Sequence, residues 1–116
     1  MALALECCRL SRRFPLDERF GLASQLRRAA VSVPANLAEG HARRQREFPR
    51  YISIARGSLA EVEVHVEIAE QLGYVTKEQS ALVLAQVTRL RQLSDGLHRA
   101  LLAKYKTRRE SDDCPA

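Results

Sequence analysis

Residues 24–40 read SQLRRAAVSVPANLAEG, and this stretch decides the fold. Together with Ala23, the residues Leu26, Ala30, Val33 and Leu37 recur at spacings of 3, 4, 3 and 4. That is the pattern of a helix buried along one face. Pro34 falls inside the seam. A proline there lacks the N–H that would bond the carbonyl of Ala30, and its ring crowds the preceding turn. The apolar register nevertheless continues to Leu37, so the spacing predicts a kinked rather than a broken helix, from about residue 18 to 39. Asp17 and Glu18 suit the positive end of its dipole. Gly40 is expected to be its C-terminal cap.

On the N-terminal side, Leu3, Cys7, Leu10 and Phe14 recur at 4-3-4 spacing, a short amphipathic helix ended by Pro15. On the C-terminal side, GHARRQR at 40–46 is a basic turn, and Pro49 belongs in the first turn of the next helix. Phe48, Ile52, Ala55, Leu59, Val62, Val66 and Ala69 then hold 4-3-4-3-4-3 spacing, a third helix over about 47–72. So strict a heptad implies left-handed packing with helix axes nearly aligned. Ile54, Val64 and Ile68 lie off this seam and predict a second buried edge, while Glu63, Glu67 and Glu70 form a solvent stripe. Gly57 interrupts the helix at a cost of about 1 kcal/mol relative to alanine, which a close helix approach would explain. Gly73 ends it. Thr76-Lys77-Glu78-Gln79 is a capping box opening a fourth helix that reaches about residue 106. Val83, Val87, Leu90, Leu97 and Leu101 form its seam, Ser94 is the weak point, and Leu93, Ala100 and Tyr105 widen it. The fold expected is all-α: an antiparallel up-down-up-down four-helix bundle over residues 1–106 with a kinked second helix, followed by a polar tail at 107–116.

Composition agrees with one globular domain. The chain has 116 residues, 46% hydrophobic and 28% charged, which sets it apart from disordered sequences. Aromatics are 5% and tryptophan is absent, so the core is aliphatic. Cys7 and Cys8 are adjacent, Cys114 lies in the tail, and no C-x-x-C spacing occurs; reduced thiols in the cytoplasm are expected. MALALECCRL lacks a basic leader and carries Glu6, unlike a signal peptide. No apolar run approaches the ~20 residues of a membrane span.

The net charge of +5 is unevenly spread. Residues 9–56 hold eleven arginines against four acids, a balance of +7. Residues 57–88 hold five glutamates against Lys77, a balance of −4, and residues 89–109 hold seven basic residues against Asp95, a balance of +6. Two basic zones flanking an acidic one fit a polyanion partner. They fit equally well the pairing of acidic and basic faces within an oligomer.

Several blocks together carry a family resemblance: FPLDE at 14–18, FGLASQLRRAAVSVPANLAEG at 20–40, EF at 47–48, IARGSLAEVE at 54–63 and LGY at 72–74. They resemble the four-helix bundle protein family, also called 23S rRNA intervening-sequence or S23-type proteins. The resemblance covers residues 14–75, and the fourth helix only by general pattern. It implies small bundles that assemble as rings of five subunits, some encoded within intervening sequences of 23S rRNA genes. Related accessory proteins of diversity-generating retroelements bind nucleic acid and a reverse transcriptase through a basic surface. It implies no enzymatic activity and no cofactor. Two departures stand out. The family's first helix is longer and opens with an aromatic stretch around a tryptophan, whereas this chain starts near the middle of that helix. The 40–47 turn is also shorter and lacks a serine.

Individual residues carry two readings each. Arg27 and Arg28 flank the second-helix seam at the height of residues 58–61, so pairing with Glu61 or Glu63 competes with a nucleic-acid contact. Asn36 and Glu39 follow the proline and are expected to satisfy freed backbone groups or to touch another subunit, rather than to act as a catalytic or ligand carboxylate. Ser58 beside Gly57 is a small packing site, with no histidine and acid to activate it. His65 follows Glu61 and Glu63, but the Glu-x-x-His of di-iron bundles is absent. His41 and His98 are isolated and expected to be solvated. Arg43, Arg44, Arg46, Arg50 and Arg56 are the densest basic run, either a solvated face or a phosphate-backbone site; Arg89, Arg91, Arg99, Lys104, Lys106 and Arg108 would extend it. With only Phe48 and Tyr51 nearby, base stacking is a minor part of any such binding.

The resulting expectation is a non-enzymatic homo-oligomer that binds RNA, DNA or a ribonucleoprotein through a basic surface. Its alternative is a ring-forming scaffold or protein adaptor. Arg27, Arg28, Pro34, Asn36, Glu39, Gly57 and Glu61 are its assembly signature.

Overall fold

The computed structural model describes residues 2–43 and 47–112, with side chains described as far as Lys106. Among the described residues there are four α-helices and no strand: α1 (Ala2–Ser11), α2 (Leu22–Arg43), α3 (Phe48–Gln71) and α4 (Lys77–Asp112). Leu3, Cys7 and Leu10 bury one side of α1, and the buried Phe14 that follows lies 5.6 Å, centroid to centroid, from the Tyr74 ring. After Pro15 the chain makes a single 3-10 turn, Leu16–Glu18, so Asp17 and Glu18 precede α2 as expected, and α2 starts at Leu22 rather than near residue 18. Arg19 N–H closes this turn on the Leu16 carbonyl at 3.1 Å, and Gly21 N–H makes the next turn on the Glu18 carbonyl at 3.1 Å.

Helix α2 runs unbroken past Pro34 to Arg43, so Gly40 is not its cap. Gly40 is buried inside the helix, where a Cβ would lie 2.8 Å from Tyr51 Cβ and 2.9 Å from Phe48 Cδ1. The first turn of α3 rests directly on the α2 backbone, and any side chain there would push it off. Gly57 is the reverse case. No atom lies within 4 Å of where its Cβ would be, so the close approach expected at Gly57 is found at Gly40 instead.

Pro49 sits in the first turn of α3 as expected. The far end closes on Gly73, whose φ of +80° lies in the left-handed region. Gly73 N–H donates to the Glu70 carbonyl at 3.0 Å and Tyr74 N–H to that of Ala69 at 2.9 Å, a Schellman closure. The capping box is reciprocal: Gln79 N–H donates to Thr76 Oγ1 at 3.1 Å and Thr76 N–H to Gln79 Oε1 at 2.9 Å. Helix α4 then continues for 36 residues, past the expected end near 106 and about 54 Å long.

The core is the one the spacing prescribes in α2, α3 and the beginning of α4. Leu26, Ala30, Val33, Ile52, Ala55, Leu59, Val62, Val66, Ala69, Val83 and Val87 are all buried, and Ser94 joins them. The expected second edge of α3 is not buried: Ile54, Val64 and Ile68 are 41%, 50% and 42% exposed. Helices α2 and α4 occupy two arcs of α3, and its third arc meets no described element. The expected glutamate stripe is also interrupted. Only Glu67 is exposed, since Glu63 pairs with Arg91 and Glu70 accepts a hydrogen bond from Ser80 Oγ at 3.0 Å. On α4, Leu93 and Leu97 stay exposed because α1 meets only the beginning of that helix, around Gln79, Leu82, Val83 and Gln86.

Side-chain contacts order the helices. Ser53 meets His98 at 3.1 Å, Arg56 meets Asp95, Glu63 meets Arg91, and Glu70 meets Ser80, so rising numbers in α3 meet falling numbers in α4. Gly40 against Phe48 and Tyr51, and Ser32 against Ser58, give the same relation between α2 and α3.

Burial, then the neighbouring Cys8 and Glu6, push the Cys7 thiol up from 9.0 to about 12. The neutral thiol is favoured in the fold, so the stability it contributes is full below pH 9 and is lost as pH rises toward 12. In the native protein at mildly alkaline pH, iodoacetamide should therefore modify half-buried Cys8 well before Cys7. Peptide mass spectrometry of a time course reads the order; equal rates would contradict the burial of Cys7.

Candidate functional site

The five arginines of the basic run do not stand as one free patch. Arg43, in the last turn of α2, places Nε 2.9 Å from Glu39 Oε1 and Nη1 3.1 Å from Glu47 Oε2, with its guanidinium 5.4 Å from the Tyr51 ring centroid. The Glu39 hydrogen bond first, then Tyr51 and Glu47, raise its already high pKa. Glu39, expected to satisfy backbone groups or touch another subunit, holds this arginine one helical turn away. Arg56 Nε lies 2.7 Å from Asp95 Oδ1, tying α3 to α4. Arg50 is exposed and takes part in no ion pair among the described residues. Arg44 and Arg46 lie outside the described residues.

Helix α4 divides similarly. Arg91 is engaged with Glu63, whereas Arg89, Arg99, Lys104 and Lys106 are exposed. The side chain of Arg108 lies outside those described. The helix contacts place several of these together. Ser53 meets His98, and one turn beyond Ser53 is Arg50, at the end where α4 carries Arg99, Lys104 and Lys106. The packing of Gly40 on Phe48 and Tyr51 brings the Arg43 end of α2 there too. One end of the molecule thus gathers Arg43, Arg50, Arg99, Lys104 and Lys106 from three helices. His98 is not isolated, given its Ser53 contact, and His41 meets the Phe48 ring edge-on at 6.1 Å.

The expected pairing of Arg27 or Arg28 with Glu61 or Glu63 does not form. Arg27 turns toward α1, where Nη1 donates to Ser11 Oγ at 3.2 Å, and Glu63 faces α4. Arg28 and Glu61 are both exposed. Asn36 does not serve the Ala30 carbonyl that Pro34 frees: its Nδ2 donates to the Ser32 carbonyl at 2.8 Å and to Ser32 Oγ at 2.9 Å. Ser58 Oγ lies 2.8 Å from Ser32 Oγ and 3.2 Å from the Ile54 carbonyl. An Asn36–Ser32–Ser58 chain thus joins α2 to α3. Sequence reasoning missed Ser32; its clue is the position one turn before Asn36 on the flank of the seam.

Beside this chain an open groove of about 710 Å³ runs between α2 and α3. Ala29, Ser32 and Ser58 contribute small side chains to it and Gly57 its bare backbone, and Arg28 and Glu61 stand among its polar residues. Among the described residues no group of three His, Cys, Asp or Glu could hold a metal ion, and no helix is long and apolar enough to cross a membrane.

A family model described as 23S rRNA-intervening sequence protein matches residues 1–96. The fold is similar to a crystal structure of a protein of unknown function from the S23 ribosomal protein family of Bacteroides thetaiotaomicron VPI-5482. The TM-score is 0.77 at 23% identity, covering 84% of this chain and 92% of that one. No curated protein sequence matches.

Proposed function

The chain belongs to the 23S rRNA-intervening sequence protein family, and from that premise we propose that it is a non-enzymatic, homo-oligomeric, antiparallel up-down-up-down bundle that binds RNA, DNA or a ribonucleoprotein in the cytoplasm. A ring of five is the assembly the resemblance implies. The observation that carries the binding reading is the basic end, where Arg50, Arg99, Lys104 and Lys106 are exposed. Arg44 and Arg46, which lie outside the described residues, are assigned to the same proposed surface by their place in the sequence directly after Arg43. Arg56 and Arg91 are set aside, because Asp95 and Glu63 already neutralise them. The Tyr51 ring faces the Arg43 guanidinium, which further disfavours base stacking as the main contact. Contacts of this kind hold the phosphate backbone without reading sequence.

Replacing Arg50, Arg99, Lys104 and Lys106 together by alanine tests it. Each lost phosphate contact should reduce the salt slope of single-stranded RNA binding by about 0.7, so the fourfold variant should lose roughly 3 in slope. Affinity should fall at least about tenfold, equally for unrelated sequences. Unchanged affinity and slope would contradict the basic end as the site.

The alternative, a ring-forming scaffold or adaptor, is favoured by a different observation: the exposed apolar residues on the outer side of α3. The two readings are compatible, because the basic end and that outer side are different surfaces.

A further inference from the structure

We propose that the pocket at the corner between α1 and α2, walled by Arg12, Arg19 and Arg27, binds a small organic phosphate with a ring-sized apolar body. It lies at the other end of the molecule from the basic end. Phe14, in the pocket wall, packs on Tyr74 of the α3–α4 turn, whereas the basic end is at the α2–α3 turn, the length of α2 away, about 33 Å. Three segments bring the arginines together. Arg12 directly follows α1, and its N–H donates to the Arg9 carbonyl at 3.2 Å. Arg19 closes the 3-10 turn, and its guanidinium lies over the Phe20 ring, 5.6 Å from the centroid. Arg27 stands in the second turn of α2 and is held from inside. Ser11 is only 4% exposed; its Oγ donates to the Cys8 carbonyl at 2.7 Å and accepts from Arg27 Nη1 at 3.2 Å. An arginine carries five N–H donors, so this contact leaves most of the guanidinium for a ligand.

The charges say what fills it. No acid stands among the described residues that line the pocket. None of the three arginines takes part in an ion pair with any described residue. The acids of the turn are directed to Tyr74 instead: burial first, then Glu18 and Asp17, raise the pKa of its hydroxyl. Three guanidiniums around one space repel one another, and a doubly charged anion relieves that repulsion better than a single charge does. The planar fork of arginine also matches phosphate geometry. The rest of the wall is apolar. Phe14 and Ala23 are buried there, and Leu16, at the mouth, is 89% exposed. The volume is about 240 Å³, below the ~300 Å³ at which pockets for drug-sized ligands begin, so one phosphate and one ring suit it.

Calorimetric titration of the full chain with phenyl phosphate, inorganic phosphate and benzoate tests this at about pH 7.5, where a phosphate monoester is mostly dianionic. Phenyl phosphate is expected to bind saturably and at least about tenfold tighter than either of the others, since one lacks the ring and the other lacks a charge. Arg27→Gln should weaken phenyl phosphate binding at least about tenfold. So should the double change Arg12→Gln with Arg19→Gln, which keeps the question open to test if loss of Arg27 disturbs the packing around Ser11. Helical circular dichroism of the double variant should be unchanged, because both positions are exposed. The variant with four alanines at the basic end should bind phenyl phosphate like the wild type. No saturable binding, equal binding of benzoate or inorganic phosphate, or full binding by the double variant would overturn the proposal. Loss of binding in the basic-end variant would overturn it too, by placing the phosphate at that end. A 5′-phosphorylated RNA that displaces phenyl phosphate from the basic-end variant, where the same RNA without its terminal phosphate does not, would assign the pocket to RNA ends and overturn the small-molecule source.

Discussion

Replacing Gly40 by leucine is expected to destabilise the fold by about 3 kcal/mol or more, the upper range for an overpacked core. The reason is geometric. A Cβ at this position already comes 2.8 Å from Tyr51 Cβ, an atom fixed to the α3 backbone, so the first turn of α3 has to move. Alanine poses a finer test. In a helix interior it normally gains about 1 kcal/mol over glycine, but here the clash should offset the gain and leave a net loss of about 1–2 kcal/mol. Gly57→Ala, with nothing within 4 Å, should show the full gain. At about 4 °C per kcal/mol for a chain of this size, thermal melts at one low protein concentration should move in opposite directions. Both alanine variants rising together would refute the close approach at Gly40. The functional consequence follows from position: Gly40 seats the helix turn that carries Arg50 and faces Arg43, so Gly40→Leu should also weaken any binding at the basic end.

Leu59→Ala should cost about 2–5 kcal/mol, the range for emptying a buried leucine site. Leu59 is fully buried between the packed helices of the core. With total stability for a domain in the region of 5–15 kcal/mol, that loss should lower Tm by roughly 8–20 °C. Val64→Ala is the matched control. Val64 lies five residues further along α3 but points outward and is half exposed. Its loss should stay within about 0.5 kcal/mol when association does not contribute. Denaturant melts of the two variants therefore decide which face of α3 is core. Comparable losses would mean that the outer stripe is buried in the folded chain after all.

The seam was legible because heptad spacing in α2 and α3 has one reading: Leu26, Ala30, Val33, Ile52, Leu59, Val62 and Val66 are all buried. The capping box and the Gly73 stop were equally legible, since both are local chemistry read from a few adjacent residues. The roles of Gly40 and Gly57 were exchanged. A glycine between a helical pattern and a basic run reads as a cap, and only the tertiary approach of Phe48 and Tyr51 shows that α2 continues. Ile54, Val64 and Ile68 were expected to be buried because periodicity marks an apolar face without saying whether this chain or another covers it. The ion pairs were the least legible. Sequence height correctly brought Arg28 level with Glu61 but could not show that Arg27 turns toward Ser11 and Glu63 toward Arg91. The basic run was visible as a run; its division into engaged Arg43 and Arg56 and exposed Arg50 depends on Glu39, Glu47 and Asp95, two of them on other segments of the chain.

A self-assembled bundle that presents a basic end to nucleic acid is tested most directly by particle mass, measured with and without single-stranded RNA at about 50 mM and about 500 mM salt. The expected result is a protein multimer whose mass increases when RNA is added at low salt and returns to the protein-only value at high salt. A monomer, a multimer that takes up no RNA at low salt, or an RNA complex unchanged at high salt would contradict it.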